Sequence, residues 1–307
     1  MSEPRFDGRV AVITGAGRGL GRSYALLLGS KGARVVVNDP GGSLAGEGID
    51  AGPAEEVVRG IKAAGGEAVA CTASVATPAG GDEIIRAALE SYGRIDILIH
   101  NAGNVRSAPL KEMTQADFDT VLDVHLRGAF HVVRPAFAAM CRQRYGRMVL
   151  TSSIGGLYGN PLHQANYAVA KTGMIGLSNM VALEGAAEGV KCNIIVPAAV
   201  TRMAEGLDIS AYPPMGPDLV APVVGWLAHE SCSITGEMLV SIAGRVAQAF
   251  LAETRGVYRP VWSIASVGEQ IEAIRNREGL FIAAAVPSGF SDHIAYSFSM
   301  ARAGVVP

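Results

Sequence analysis

The strongest constraint on the fold of this chain is the alternation of short, β-branched apolar runs with longer stretches of helical period. The runs are continuously apolar rather than alternating in polarity, which indicates strands buried on both faces. Seven strands are predicted, at 9–15, 33–39, 67–71, 95–103, 146–153, 190–197 and 236–244. Helices are predicted between them, at 19–31, 53–64, 81–92, 115–144, 164–188 and 217–229.

This order predicts an α/β fold, a doubly wound Rossmann-type parallel sheet of seven strands with helices on both faces. We expect one domain over residues 1–250, which contains the catalytic site, and a C-terminal extension over 251–307 to which the sequence assigns no role. Ligands bind such sheets at the carboxyl ends of the strands. Chemically active residues are therefore expected just after each strand.

Composition excludes several classes of partner. A content of 49% hydrophobic and 18% charged residues indicates a packed globule, and a net charge of −2 provides no basic field for nucleic acid. The four cysteines form no C-x-x-C pair, so neither a metal site nor a disulfide framework is expected, and we predict reduced thiols in the cytoplasm. No signal peptide and no membrane span are expected, because the N-terminus is polar and no apolar stretch reaches about 20 residues.

A glycine-rich segment, TGAGRGLG at 14–21, follows the first predicted strand. Glycines allow the backbone to approach a pyrophosphate, and the N–H groups and dipole of the following helix stabilise its charge. A glycine-rich turn alone is also typical of any tight strand-to-helix connection, but its place after the first strand favours dinucleotide binding. The predicted contacts are Gly15, Arg18, Gly19, Leu20 and Gly21.

Asp39 ends the second predicted strand, where a carboxylate can accept hydrogen bonds from an adenosine ribose. Such a carboxylate repels a 2′-phosphate about 4 Å away by about 4 kcal/mol, a cost that Arg18 offsets only in part. We therefore predict NAD rather than NADP. The alternative is that Asp39 only caps the turn before Pro40.

Tyr167 and Lys171, in YAVAK, stand four residues apart on a predicted helix and therefore share a face. Lowering the pKa of a phenol from about 10 to about 7 requires about 4 kcal/mol, which an ammonium about 4 Å away can supply, and the positive charge of an oxidised nicotinamide adds to it. The phenolate would then take the hydroxyl proton of an alcohol while its hydride passes to NAD. The alternative is a solvated helix face without chemistry.

HNAG at 100–103, TSS at 151–153 and YAVAK, in this order after TGAGRGLG, resemble the short-chain dehydrogenase/reductase family over about residues 6–245. Within that family the segments VVVNDPGG, VHLRGAF and WLAHESC are similar to the (3R)-hydroxyacyl-CoA dehydrogenase part of peroxisomal multifunctional enzyme type 2. The resemblance implies a secondary-alcohol dehydrogenase and contacts of Asn101, Ala102 and Gly103 with the cofactor. It also implies that Lys171 binds the nicotinamide ribose.

Ser153 lies at the mouth of the fifth strand and is expected to hold the substrate oxygen, with Ser152 as the alternative. His125 replaces the usual Asn of the family and is expected either to relay protons through water or to be a core histidine bonded to the backbone. The spacing from Ser153 to Tyr167 is one residue longer than the family pattern, and the additional residue is expected within NPLH at 160–163.

Two further contacts with the cofactor depart from the family pattern. The usual Asp after the third strand is absent, so Ser74 and the backbone of Val75 are expected near the adenine. Pro197, Val200 and Thr201 replace the usual P-G after the sixth strand and are expected near the nicotinamide carboxamide.

The resemblance implies a (3R)-3-hydroxyacyl-CoA substrate, with a hydroxysteroid or a steroid side-chain thioester as the alternative. Two other classes are alternatives, a dinucleotide-binding protein without catalysis and a purely structural module. Apolar residues of the segment 201–217 either line a substrate cavity or fasten the loop to the core, and these are Met203, Leu207, Ile209, Tyr212 and Met215. A homodimer or homotetramer is implied, with the helices at 115–144 and 164–188 packing across subunits.

Overall fold

The computed structural model describes residues 3–201 and 212–303 of the chain. Its strands are β1 Val10–Thr14, β2 Arg34–Asn38, β3 Glu67–Cys71, β4 Ile97–His100, β5 Gly146–Thr151, β6 Val190–Ala198, β7 Met238–Ile242 and β8 Arg245–Ala249. They form one sheet in the order β3-β2-β1-β4-β5-β6-β7-β8, and the pairings from β3 to β7 are parallel. The predicted doubly wound fold is confirmed.

The predicted number of strands is wrong, because the described sheet has eight rather than seven. The additional strand, β8, follows β7 after only two residues, Ala243 and Gly244, which both have positive φ angles of 49° and 78°. Two positive φ angles are typical of the tight turn that joins antiparallel strands. The sequence of β8, RVAQA, is partly exposed and only partly apolar, so it lacks the continuous apolar run that identified the other strands.

The helices cover both faces of the sheet between the strands. They are α1 Gly19–Ser30, α2 Gly52–Ala63, α3 Pro78–Tyr92, α4 Gln115–Leu122, α5 Gly128–Gln143, α6 Ile154–Leu157, α7 Ala165–Gly185 and α8 Ala221–Ala228. The helix predicted at 115–144 is interrupted, because a π-helical turn at Asp123–Arg127 separates α4 from α5. Such turns within α-helices frequently mark functional sites.

The strands are apolar because both of their faces are covered, and every residue of β1 and β5 is buried. Polar residues appear where these strands end. Thr14, the last residue of β1, pairs with Asn38 of β2 on one side and His100 of β4 on the other. The carboxyl ends of the three strands therefore meet at one edge, where the sequence places its glycine turn.

The chain divides into two compact units, Met1–Gln248 and Ala249–Pro307. In the second unit, α9 Ile264–Glu269, α10 Ile271–Ile274 and α11 Gly289–Ala303 accompany an antiparallel bridge between Glu253 and Phe281. The Phe281 ring stacks on Tyr296 with centroids 4.5 Å apart. The predicted boundary after residue 250 and the role of the extension stay predictions.

Candidate active site

Tyr167 and Lys171 lie one turn apart near the start of α7, which begins at Ala165. Asn166 fixes this start, since its side-chain amide donates to the carbonyls of Arg106 and Asp117, each at 3.0 Å. The Lys171 Nζ lies 5.5 Å from the centroid of the Tyr167 ring. The expectation that phenol and ammonium share a helix face is confirmed, and the solvated-face alternative is wrong for Lys171, which is only 3% exposed.

Lys171 is held at the carboxyl end of β5, where its Nζ donates a 2.8 Å hydrogen bond to the Thr151 carbonyl. Burial disfavours the ammonium and lowers the pKa of Lys171 from 10.5 to about 7. The charge of this side chain therefore changes close to neutral pH.

Tyr167 differs from the expectation in its acidity. Burial raises the pKa of the Tyr167 phenol above its ordinary value, and a hydrogen bond with Ser153 opposes this rise. Lys171, whose Nζ lies 5.5 Å from the ring centroid, does not contribute to this shift, so desolvation of the phenolate sets its direction. A deprotonated Tyr167 at neutral pH thus requires positive charge in addition to that of Lys171.

Ser153, and not Ser152, stands beside the phenol. Ser152 is 1% exposed, and its hydroxyl donates a 2.7 Å hydrogen bond to the Lys171 carbonyl. Ser153 lies at the start of α6, where its Oγ accepts from the Gly155 N–H at 3.1 Å. Residues 160–163 contain a turn, and His163 has a φ of 54°. Ser153 lies beside the phenol despite the additional residue before Tyr167.

His125 lies within the π-helical turn and is 1% exposed. Its ring contacts Tyr167 edge-on, with centroids 5.2 Å apart at 82°. Its Nε2 faces the Asn104 backbone, 3.1 Å from the nitrogen and 2.9 Å from the oxygen, and burial lowers its pKa well below 6.5. His125 is thus bonded to the backbone, while its Nδ1 finds no hydrogen-bond partner among the described residues. A part in proton relay stays a prediction.

The glycine turn fits a dinucleotide pyrophosphate. α1 begins at Gly19, whose φ is 53°, and its first turn contains no acidic residue. Arg18 precedes the helix in extended conformation and makes no side-chain cap, so its side chain leaves the first N–H groups to an anionic ligand. Gly21 permits the tight turn, because a Cβ there would lie 2.1 Å from the Gly15 carbonyl oxygen. Leu20 packs against the core instead.

Asp39 lies against this turn at the end of β2. Its Oδ2 accepts from the Gly17 N–H at 2.8 Å, and its Oδ1 accepts from the Gly41 N–H at 2.7 Å. The carboxylate therefore caps the turn after β2, as the alternative interpretation expected. The same contacts fix it beside the glycine turn, as ribose recognition requires.

The other predicted cofactor contacts are distributed around the same edge of the sheet. Asn101 Nδ2 donates to the Gly15 carbonyl at 3.1 Å, which ties the end of β4 to the glycine turn. Gly103 lies against the His125 ring, since a Cβ there would lie 2.5 Å from Cε1. Ala102 is buried between these two residues.

Ser74 and Val75 follow β3. Ser74 is exposed and its Oγ accepts from the Ala76 N–H at 3.2 Å, whereas Val75 is buried and its carbonyl lies 2.9 Å from the His131 Nδ1. The described structure thus leaves Ser74 accessible to a ligand.

Pro197 lies within β6, opposite Ser241. The Val200 N–H donates to the Met215 carbonyl at 2.7 Å. Thr201 lies close to the glycine turn, since a Cβ added to Gly19 would lie 3.3 Å from the Thr201 Cγ2. Met215 thus fastens its loop to the backbone, and Tyr212 is half exposed. The remaining predicted lining residues, Met203, Leu207 and Ile209, lie outside the described residues.

Sequence reasoning missed His100, Thr14 and Asn166. His100 is 1% exposed and bridges the Thr14 Oγ1, at 3.1 Å, and the His125 carbonyl, at 3.0 Å. A signal existed, because Thr14 and His100 are polar residues at the ends of otherwise apolar strands. Only the strand register showed that they face each other.

A sequence profile described as short chain dehydrogenase matches residues 9–208, which contain the glycine turn, Ser153, Tyr167 and Lys171. The chain belongs to the short-chain dehydrogenase family. It is therefore an oxidoreductase that acts on CH–OH groups of small-molecule substrates, and members of this family generally use NAD or NADP. The interpretations as a protein without catalysis and as a structural module are thus wrong.

Two curated relatives illustrate the similarity. The peroxisomal multifunctional enzyme type 2 of Drosophila melanogaster is 48% identical over 259 residues, 83% of this chain and 42% of the relative. The chain thus spans less than half the length of that relative. A putative short-chain type dehydrogenase/reductase of Mycobacterium tuberculosis is 43% identical over 249 residues, 81% of this chain and 87% of the relative.

Solved structures agree with this assignment. The full-length peroxisomal multifunctional enzyme type 2 of Drosophila melanogaster matches with a TM-score of 0.78 and 38% identity, over 96% of this chain and 50% of that chain. A short chain dehydrogenase from Mycobacterium avium matches with a TM-score of 0.77 and 37% identity, over 88% and 95% of the two chains.

Location and metal binding stay predictions. Several relatives are named as peroxisomal enzymes, a name that does not support the expected cytoplasmic location. Among residues 3–201 and 212–303, no helix has both the length and the apolarity that crossing a membrane requires. The same residues contain no group of three or more His, Cys, Asp or Glu side chains suited to a metal ion.

Proposed function

We propose that this oxidoreductase oxidises (3R)-3-hydroxyacyl-CoA thioesters to 3-ketoacyl thioesters with NAD. The observation that carries the proposal is the grouping of a partly buried Tyr167, hydrogen-bonded to Ser153, with a buried Lys171 at the carboxyl end of β5, in the same sheet whose β1 leads into the glycine turn. A phenol and an ammonium in these positions serve proton transfer, and a serine beside the phenol serves to hold an oxygen.

Each of the three side chains has a separate task. Ser153 donates to the substrate oxygen and holds the carbinol in position. Tyr167, as phenolate, accepts the hydroxyl proton of the substrate. Lys171 in its ammonium form stabilises this phenolate. Bound NAD supplies the hydride acceptor and a positive ring. Burial raises the pKa of the Tyr167 phenol, so proton transfer at neutral pH needs positive charge in addition to that of Lys171.

Asp39 supports NAD as the cofactor. Its two oxygens are held by the backbone N–H groups of Gly17 and Gly41, so the carboxylate is fixed in place and cannot turn away from a 2′-phosphate without losing both hydrogen bonds. No described side chain forms an ion pair with it. A phosphate on the ribose would therefore meet an unneutralised charge.

The relatives support the substrate class. The peroxisomal hydratase-dehydrogenase-epimerase of Neurospora crassa is 45% identical over 248 residues, 80% of this chain and 27% of the relative. A dehydrogenase that works beside a hydratase takes a hydroxyl compound that the hydratase forms. A hydroxysteroid or a steroid side-chain thioester is the alternative substrate, since the sequence of the segment 201–217 contains apolar residues and does not distinguish the two classes.

The test compares initial rates with NAD across a series of (3R)-3-hydroxyacyl-CoA chain lengths, their (3S) epimers and free hydroxysteroids. We expect kcat/KM to be highest for a (3R) thioester. Turnover of steroids alone would replace the substrate class and leave the oxidoreductase assignment intact. Each thioester is also assayed with NADP to test the cofactor separately.

Assembly as a homodimer or homotetramer is part of the proposal. Apolar side chains exposed on α5 and α7 support it, and these are Phe130, Val169, Met180 and Leu183. Their burial against a second copy would remove apolar surface from water. Light scattering coupled to size-exclusion chromatography measures the mass, and a mass near that of one chain at micromolar concentration would contradict this part.

A further inference from the structure

His100 has two hydrogen-bond partners and is buried. Its Nδ1 lies 3.1 Å from the Thr14 Oγ1, and its Nε2 lies 3.0 Å from the His125 carbonyl oxygen. The side chain is 1% exposed. It thus connects the end of β1 with the π-helical turn between α4 and α5.

The surroundings of Thr14 determine which nitrogen of His100 carries the proton. The Thr14 Oγ1 accepts from the backbone N–H groups of Asn101 and Ala102, each at 3.1 Å. A hydroxyl has one proton to donate and two acceptor positions, and both positions are used here. The Thr14 proton therefore goes to Nδ1 of His100, and a neutral His100 carries its own proton on Nε2.

The imidazole stays neutral in this environment. Burial and the nearby Lys171 charge lower the pKa of His100 to about 3. With Nδ1 as acceptor and Nε2 as donor, the ring donates to the His125 carbonyl and accepts from Thr14. Every polar atom of the His100 side chain is thereby satisfied.

The receiving carbonyl belongs to a turn that is not a regular α-helix. Within Asp123–Arg127, the His125 carbonyl also accepts from the Gly128 N–H. In a π-helical turn the ordinary i to i+4 ladder is interrupted, so a carbonyl there depends on other donors. The second donor from β4 fixes the position of His125 relative to the sheet.

His125 in turn contacts the catalytic phenol. Its ring packs edge-on against Tyr167, with centroids 5.2 Å apart, and Gly103 also lies against the ring, since a Cβ there would lie 2.5 Å from its Cε1. A shift of the His125 backbone would therefore move the surface against which the Tyr167 ring rests.

We infer that His100 is a positioning residue, which holds the His125 carbonyl through an Nε2–H fixed by Thr14 and so keeps Tyr167 in place for proton transfer. This inference rests on the proposed function only for its activity measurement. It concerns alignment during the chemical step, so it affects kcat more than KM.

Three substitutions separate the two hydrogen bonds. In His100→Gln, the side-chain amide reaches the position of Nε2 and retains the donor to His125. In His100→Asn, the shorter amide reaches only the position of Nδ1 and loses that donor. His100→Leu loses both hydrogen bonds and retains volume.

His229 provides the matched control. Its Nδ1 lies 2.8 Å from the Ser231 Oγ, and its Nε2 lies 3.0 Å from the Arg5 carbonyl oxygen. His229 therefore also joins a hydroxyl to a carbonyl, but the carbonyl belongs to Arg5, which precedes β1. His229→Gln is expected to leave kcat unchanged.

We expect kcat with NAD and a (3R)-3-hydroxyacyl-CoA to fall about tenfold or more in the Asn and Leu variants, with KM unchanged, and to stay within about threefold of wild type in the Gln variant. Equal loss in all three variants, or full activity of the Asn variant, would overturn the inference.

A second measurement needs neither substrate nor variant. Neutron diffraction from crystals of the wild-type protein shows directly which imidazole nitrogen carries deuterium. We expect deuterium on Nε2 of His100 and none on Nδ1. Deuterium on Nδ1 would overturn the inference, whereas absence of turnover with every thioester would contradict only the proposed substrate.

Discussion

The Ser152 hydroxyl donates a 2.7 Å hydrogen bond to the carbonyl of Lys171, while the neighbouring Ser153 hydrogen-bonds to Tyr167. Successive residues at the end of a strand point to opposite faces. One serine therefore anchors α7 to the sheet, and the other is left to the substrate. The sequence TSS alone does not distinguish these two tasks.

Substitution of the two serines separates the tasks. Ser153→Ala is expected to lower kcat by about a hundredfold, because the donor to the substrate oxygen is lost. Ser152→Ala is expected to lower the free energy of unfolding by about 1–3 kcal/mol, because the Lys171 carbonyl loses a buried donor. Steady-state kinetics and urea unfolding of both variants measure the two effects. A reversal of these effects between the serines would contradict the assignment.

Tyr167→Phe removes the group that exchanges the proton. We expect kcat to fall by about a hundredfold or more while NADH binding is retained, since the ring is still present to pack. NADH fluorescence titration and initial rates provide the measurement. Tyr92→Phe is the control, because Tyr92 ends α3 and contacts Arg34 rather than the site. Unchanged kcat in Tyr167→Phe would remove the tyrosine from the mechanism.

Lys171 links the stability of the cofactor-free protein to pH. Its pKa of about 7 in the folded chain lies below the unfolded value of about 10.4, so the unfolded state binds more protons between these pH values. The contribution of Lys171 to the free energy of unfolding is therefore expected to rise with pH in this window, by up to about 1.4 kcal/mol per pH unit. Below pH 7 the full cost of the buried charge is present.

Urea unfolding at pH 7 and pH 9 measures this rise when wild type is compared with Lys171→Met. The difference between the two proteins removes the contributions of titrating groups that do not interact with Lys171. We expect wild type to gain stability relative to the variant at pH 9. An equal change in both proteins would show that Lys171 keeps its charge in the folded state.

Asp39 is expected to determine the cofactor preference. Asp39→Asn retains an oxygen for the Gly17 N–H and removes the negative charge. We expect the ratio of kcat/KM for NAD to that for NADP to fall by about tenfold or more, since repulsion of about 4 kcal/mol is relieved in part. Asp50→Asn is the control in the same loop, where Asp50 caps the Gly52 N–H. An equal change of this ratio in both variants would show that the structure of the loop, and not the charge of Asp39, determines the cofactor preference.

The sequence predicted the sheet and the catalytic residues because both leave local patterns. Continuous apolar runs identified β1 to β7, and YAVAK placed Tyr167 and Lys171 on one helix face. The π-helical turn at Asp123–Arg127 left no such pattern, since its residues continue the period of the helix. The bridge through His100 depends on the register of β1 and β4, which are separated by more than 80 residues.

The direction of the Tyr167 pKa shift could not be predicted from the sequence either. A phenol and an ammonium at i and i+4 predict a lowered phenol pKa if both are solvated, because only their attraction then counts. Burial reverses this result, since it lowers the pKa of Lys171 and raises that of Tyr167 together. The extent of burial is a property of the folded chain and cannot be read from spacing.

The turn between β7 and β8 offers a stabilising substitution. Ala243 has a φ of 49°, a left-handed conformation that costs an alanine side chain about 1 kcal/mol. Gly244 follows it, and Asn-Gly is the preferred pair for such a turn. Ala243→Asn is therefore expected to raise the free energy of unfolding by up to about 1 kcal/mol, whereas Ala243→Val, which is β-branched, is expected to lower it. Thermal unfolding of the two variants beside wild type provides the measurement, and a more stable Val variant would show that the hairpin adopts another turn in solution.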